Sequence, residues 1–80
     1  MTSEHVMQQL EDIFESIFSR GSFKFNENLS GDYVEEWDSL KHAILIDKVE
    51  KHFEIKFDLM EVLDMENVGH IRDAILKKKN

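Results

Sequence analysis

Asp38 and Ser39, followed by Leu40, are the residues of this chain whose types and order are best suited to chemistry. They stand where a loosely patterned stretch ending at Trp37 gives way to a strongly apolar run. Asp38 has a short carboxylate that accepts a bond from the free N–H groups of a first helical turn, so it is the expected N-cap of a helix from Ser39 to about Phe53. Ser39 then lies in the first turn, beside unpaired N–H groups and the positive end of the helix dipole. Such surroundings favour a phosphate attached to its hydroxyl. Leu40 gives the same turn an apolar handle.

Other chemistries fit these residues less well. Ser39 and His42 are three apart and can share a helix face, which is the start of a hydrolase pair. The chain has no glycine-flanked nucleophile elbow, no oxyanion hole visible in the pattern and no group to orient the imidazole, so His42 reads as a surface side chain. His5, His42, His52 and His70 are scattered, and Asp38 with His42 offers two metal ligands at most. The acids from Asp58 to Glu66 lack the alternation and central glycine of a calcium loop. Neither a catalytic site nor a metal site is expected.

The elements that position Ser39 follow from hydrophobic spacing. Val6, Leu10, Ile13, Phe14, Ile17 and Phe18 recur at helical intervals with Glu4, Glu11, Asp12 and Glu15 between them. This predicts an amphipathic helix over 3–19, capped by Thr2 or Ser3 and closed near Gly21. From Arg20 to Trp37 the pattern breaks up. The aromatic content of that stretch argues for an ordered crossover pinned to a core, with a short helical turn near Leu29 to Val34. Phe23-Lys24-Phe25 alternates like a strand, but no second strand is in sight to pair with it. The Ser39 helix carries Leu40, Ala43, Ile44, Leu45, Ile46, Val49 and Phe53, a stripe wide enough to predict a central helix touching more than one neighbour. Its polar face is left to Lys41, Asp47, Lys48, Glu50 and Lys51. Ile55 and Phe57 continue in extended alternation. Asp58 caps a short third helix with Leu59, Met60, Val62 and Leu63, and Asn67 caps a last one with Val68, Ile71, Ala74, Ile75 and Leu76. The expected fold is all-α: a small four-helix bundle of three longer helices and one short one, with a long loop between the first two.

Length and composition set the bounds. With 80 residues there is room for one domain, residues 1–80, and no second core. Hydrophobic residues at 41% and charged residues at 34% describe an ordinary globular chain. The net charge of −7 argues against nucleic acid, which needs clustered cations to release counterions, and Lys77-Lys78-Lys79 reads as charge placed at a helix C-terminus. With no cysteine, the chain has neither disulfide nor thiol of its own, and a reducing, cytoplasmic setting fits. No signal peptide or membrane span is expected, and the absence of a sustained heptad leaves a monomer as the expectation.

Asp38-Ser39-Leu40 at the head of an apolar helix, preceded by a long loop and followed by Phe53, Ile55, Phe57 and Val68-Gly69-His70-Ile71, resembles the acyl carrier protein family over nearly the whole chain. In that family a transferase attaches 4′-phosphopantetheine from coenzyme A to the serine, with magnesium. The resemblance implies that Ser39 carries the arm, that Asp38 assists the transfer and that Leu40 is a recognition contact. It further implies a non-enzymatic carrier whose partners are a phosphopantetheinyl transferase, an acyl-loading ligase or synthase, and downstream acyltransferases. A thioester carrier without a cysteine needs its thiol supplied as a prosthetic group. Carriers of fatty acid synthesis have a mostly acidic second helix, whereas here Lys41, Lys48 and Lys51 interrupt the acids. Glu36-Trp37-Asp38-Ser39-Leu40-Lys41-His42 looks more like stand-alone carriers of specialised pathways. Family members also shelter an acyl chain between the second and third helices, where Met60, Leu63 and Met65 would line the space. The competing reading is an unmodified acidic helical module that works only by docking, with Trp37 and Ile44 as exposed anchors.

Overall fold

A computed structural model describes residues 2–18 and 23–79. They form four helices in the order α1 (Ser3–Ile17), α2 (Ser39–Phe53), α3 (Leu59–Leu63) and α4 (Val68–Lys79), with no strand among the described residues. The expected all-α bundle and the long connection between α1 and α2 are both present.

Local chemistry sets the helix starts. Thr2 caps α1 by accepting from the His5 N–H at 3.1 Å, Asp38 caps α2, and Asp58 caps α3 in a capping box with Glu61. At the head of α4 the Asn67 side chain accepts from the His70 N–H at 2.9 Å. α1 ends at Ile17 with Phe18 as its C-cap; the expected terminator Gly21 lies outside the described residues. α2 ends on Glu54, whose φ of 59° puts a side chain in the left-handed region where glycine is the ordinary occupant.

The core is formed by Val6, Leu10, Phe14 and Phe18 of the α1 segment, Leu45, Ile46, Val49 and Phe53 of α2, and Val68, Ile71 and Ile75 of α4. α1 packs against both α2 and α4, so it, and not α2, is the central helix. The wide stripe of α2 misled the expectation because only half of it is core. Leu40, Ala43 and Ile44 face solvent, Leu40 being 70% exposed.

The segment from Phe23 to Trp37 is ordered by what it gives to the core and to α4. Phe23 and Phe25 turn inward onto Phe14 at centroid distances of 5.9 and 5.4 Å, while Lys24 points out. Their alternation reflects that packing and no sheet. The carbonyls of Leu29 and Glu27 accept the Val68 and Gly69 N–H groups at 2.9 and 2.8 Å, so the loop satisfies donors that the first turn of α4 leaves free. Gly69 permits this approach, since a Cβ there would lie 3.1 Å from the Glu27 carbonyl oxygen. Arg72 adds an ion pair to Glu27 at 2.6 Å, which holds its guanidinium above the usual arginine range. The expected turn appears at Ser30, whose carbonyl accepts from Tyr33 and Val34 at 3.0 and 3.2 Å.

Phe53 is 3% exposed, so Phe53→Ala should cost about 3–5 kcal/mol in chemical denaturation; a near wild-type midpoint would show that this side chain is not core. Glu54→Gly should instead stabilise by about 0.5–1 kcal/mol, because it removes the left-handed penalty at the end of α2. A loss of stability in that variant would contradict the strain assignment.

Candidate functional site

Ser39 is the first residue of α2 and is exposed. Asp38 sits before it in extended conformation, and its Oδ1 accepts from the Lys41 N–H at 2.9 Å. The Asp38 carboxylate is thus turned into the helix start. The N–H groups of Ser39 and Leu40, which have no intrahelical acceptor at a helix start, remain open to an anion. Leu40 projects beside them into solvent. The three residues singled out by sequence therefore lie together.

What holds this tripeptide in place is Trp37. The indole is 9% exposed and lies edge-on to Phe14 at 5.0 Å and tilted against Phe18 at 6.0 Å. Its reading as an exposed docking anchor is overturned: the ring is part of the aromatic cluster on α1, because so large an apolar surface is better buried there than presented to water. Its backbone N–H donates to the Val34 carbonyl at 3.0 Å. Gly31 lies close to its backbone, where a Cβ would come within 2.9 Å of the Trp37 carbonyl oxygen.

His42 is not a surface side chain. Its Nδ1 accepts the Trp37 Nε1–H at 3.0 Å, and its Nε2 lies 3.3 Å from the Val62 carbonyl oxygen of α3. Both ring nitrogens are engaged away from Ser39, so the residue is not arranged as a base for it. The signal for this contact was present in the five-residue spacing of Trp37 and His42 across a helix start, but its third member, Val62, is remote in sequence. Among the described residues no group of three His, Cys, Asp or Glu side chains is arranged to hold a metal.

The outward side of α2 and α3 carries apolar side chains and lysines beside the acids Glu35, Glu36 and Asp38 that precede Ser39. On α2 Asp47 pairs with Lys51 at 3.0 Å and Glu50 accepts the Phe57 N–H at 2.8 Å, whereas Lys41 and Lys48 have no salt-bridge partner among the described residues. On α3 Leu59, Met60 and Leu63 are exposed. Of the residues expected to line a chain-sheltering space, only Met65 is buried, while Met60 and Leu63 face outward. Glu61 is held below the usual carboxylate range, first by the Asp58 N–H and then by Lys78 at 2.9 Å, an ion pair that ties α3 to α4.

Among solved structures, the chain superposes on a holo acyl carrier protein from Geobacter metallireducens, determined by solution NMR. The TM-score is 0.83 with 35% sequence identity, over 92% of this chain and 85% of that one. The chain belongs to the acyl carrier protein family. A candidate acyl carrier protein from Mycobacterium tuberculosis shares the fold at a TM-score of 0.80, with 18% identity over 90% of this chain and 96% of that one. No family model and no curated protein matches the sequence. The acyl carrier protein described here is accordingly a carrier and not an enzyme.

The close approach at Gly31 gives a test of how the carrier's helix start is held. Gly31→Ala should push the Trp37 backbone outward and destabilise the fold by about 1–3 kcal/mol, with a shift in the emission of the single tryptophan. An unchanged spectrum and melt would show that Gly31 does not constrain Trp37.

Proposed function

We propose that Ser39 is the attachment point of 4′-phosphopantetheine and that the protein, a single carrier domain over residues 1–80, presents acyl or aminoacyl groups as thioesters on that arm. The observation that carries this is the exposed Ser39 hydroxyl at the first position of a capped helix, in a chain 35% identical to a holo carrier protein. The residues present fit the group. The open N–H groups of Ser39 and Leu40 and the helix dipole favour a phosphodiester at this oxygen, and the Asp38 carboxylate beside it is turned to the Lys41 N–H. When bound, the group supplies the thiol that a chain without cysteine lacks.

In this reading Ser39 Oγ would form a bond to the pantetheine-bearing phosphorus of coenzyme A on a phosphopantetheinyl transferase, the pyrophosphate bond would break to release 3′,5′-adenosine bisphosphate, and the hydroxyl proton would pass to a base of the transferase. Asp38 fixes the turn that displays the hydroxyl and assists the transfer, and Leu40 is gripped by the transferase. The protein works as a cytoplasmic monomer, served by a loading ligase or synthase and emptied by acyltransferases. The outward face of α2 supports partners other than those of fatty acid synthesis, because its free charges are Lys41 and Lys48 and its apolar contacts are Leu40 and Ile44. The docking-only module loses one of its two anchors with the burial of Trp37.

Coexpression with a broad-specificity phosphopantetheinyl transferase, followed by intact-mass measurement, separates the two readings. One added arm is expected on the wild type and none on Ser39→Ala. As an exposed first-turn change, that variant should melt within about 0.5 kcal/mol of wild type. An unmodified, folded wild-type protein would rule out the carrier assignment of Ser39.

A further inference from the structure

The contact among Trp37, His42 and Val62 joins three parts of the chain at one imidazole. The indole has only an N–H to give, so Nδ1 of His42 is the acceptor and carries no proton. The proton is then on Nε2, which donates to the Val62 carbonyl oxygen. That carbonyl lies in the last turn of α3 and already accepts the Met65 N–H at 3.2 Å, so the imidazole adds a second donor to it from the side of α2. The indole and imidazole planes are within 24° of each other, with centroids 6.0 Å apart.

α3 needs such a fastening. It is five residues long and buries none of them, and Leu59, Met60 and Leu63 stand in solvent. Its remaining ties are the capping box at Asp58, the Glu61–Lys78 ion pair and the half-buried Val62. Of these, the ion pair reaches α4 and the capping box is internal to the helix start. The hydrogen bond from His42 is the polar tie that joins α3 to α2, one turn from Ser39.

We infer that His42 is a positioning residue that latches α3 onto the first turns of α2 while holding the Trp37 indole, so that α3 and the Ser39 turn move as one body. For the carrier this fixes α3 relative to the turn that would bear an arm on Ser39, a consequence that rests on the attachment proposed above. The latch itself does not depend on that attachment. Two of the carboxylates on the elements meeting there are engaged away from the imidazole, Asp38 with the Lys41 N–H and Glu61 with Lys78 and the Asp58 N–H, while Lys41, Glu36 and Asp64 are the other charged groups nearby in the chain.

The test is amide hydrogen exchange by NMR on the unmodified full-length protein, as wild type, His42→Phe and His42→Gln. Phenylalanine fills the space without donor or acceptor, whereas glutamine can accept from the indole and donate to Val62. In His42→Phe the α3 amides and the Trp37 indole N–H should exchange about tenfold faster, the effect of losing one hydrogen bond. The α1 and α4 amides should stay at wild-type rates, and His42→Gln should recover protection at both places. In the wild type the His42 ring nitrogens should show the pattern of a neutral Nε2–H tautomer. Unchanged α3 exchange in His42→Phe, a uniform rise across all four helices, or no recovery in His42→Gln would each overturn the latch. Because no arm is present in these samples, the result stands apart from whether Ser39 is modified.

Discussion

The seating of one indole governs this structure. Trp37 closes a long crossover and opens a helix two residues later, so the place where its ring is buried decides where the helix begins. The ring lies against Phe14 and Phe18, and Phe23 and Phe25 extend the same cluster across Phe14. Aromatic pairs of this kind contribute about 0.5–1.5 kcal/mol each beyond the area they bury. Several of them converging on α1 make a firm stop for a segment with no secondary structure of its own. With the indole fixed, Asp38 falls at the cap position, and Ser39 is turned out to solvent as a geometric consequence.

The second constraint works from the opposite end of the loop. The first N–H groups of α4 find acceptors at Glu27 and Leu29, and Ser30 bridges to Asn67. The loop therefore serves α4 as a cap while α4 serves the loop as an anchor. Neither could be drawn without the other, since a buried backbone donor left unpaired costs about 1–3 kcal/mol. Between these two anchors the chain has little freedom, and a surface hydroxyl can be held in a constant place without being buried. That is the physical requirement on the attachment point proposed for the arm.

How much of this was legible depended on the range of the forces involved. Thr2 or Ser3, Asp38, Asp58 and Asn67 could be read as caps because capping is settled within four residues, and the helix starts followed from them. The amphipathic pattern of α1 was equally local. Leu40 and Ile44 could not be separated from Leu45 and Ile46 by composition, because an apolar residue kept for a partner has the same chemistry as one kept for the core; burial alone divides them. The competing docking reading put Trp37 outside for the same reason, whereas the reading of the crossover as pinned to a core by its aromatics agrees with its burial. His42 was weighed and read as a surface side chain because half of its role lies in a backbone carbonyl twenty residues away, and no pattern of side chains reports a carbonyl. The tripeptide Asp38-Ser39-Leu40 was visible at once, as its significance lies in order and position along a helix.

The measurement that bears most directly on the account is tandem mass spectrometry of the protein isolated from its own cells, with fragment ions placing any added mass on the chain. The account predicts a single phosphopantetheine, free or acylated, borne by Ser39 and by no other serine or threonine. Protein that is wholly unmodified in growing cells, or modified at another residue, would contradict it.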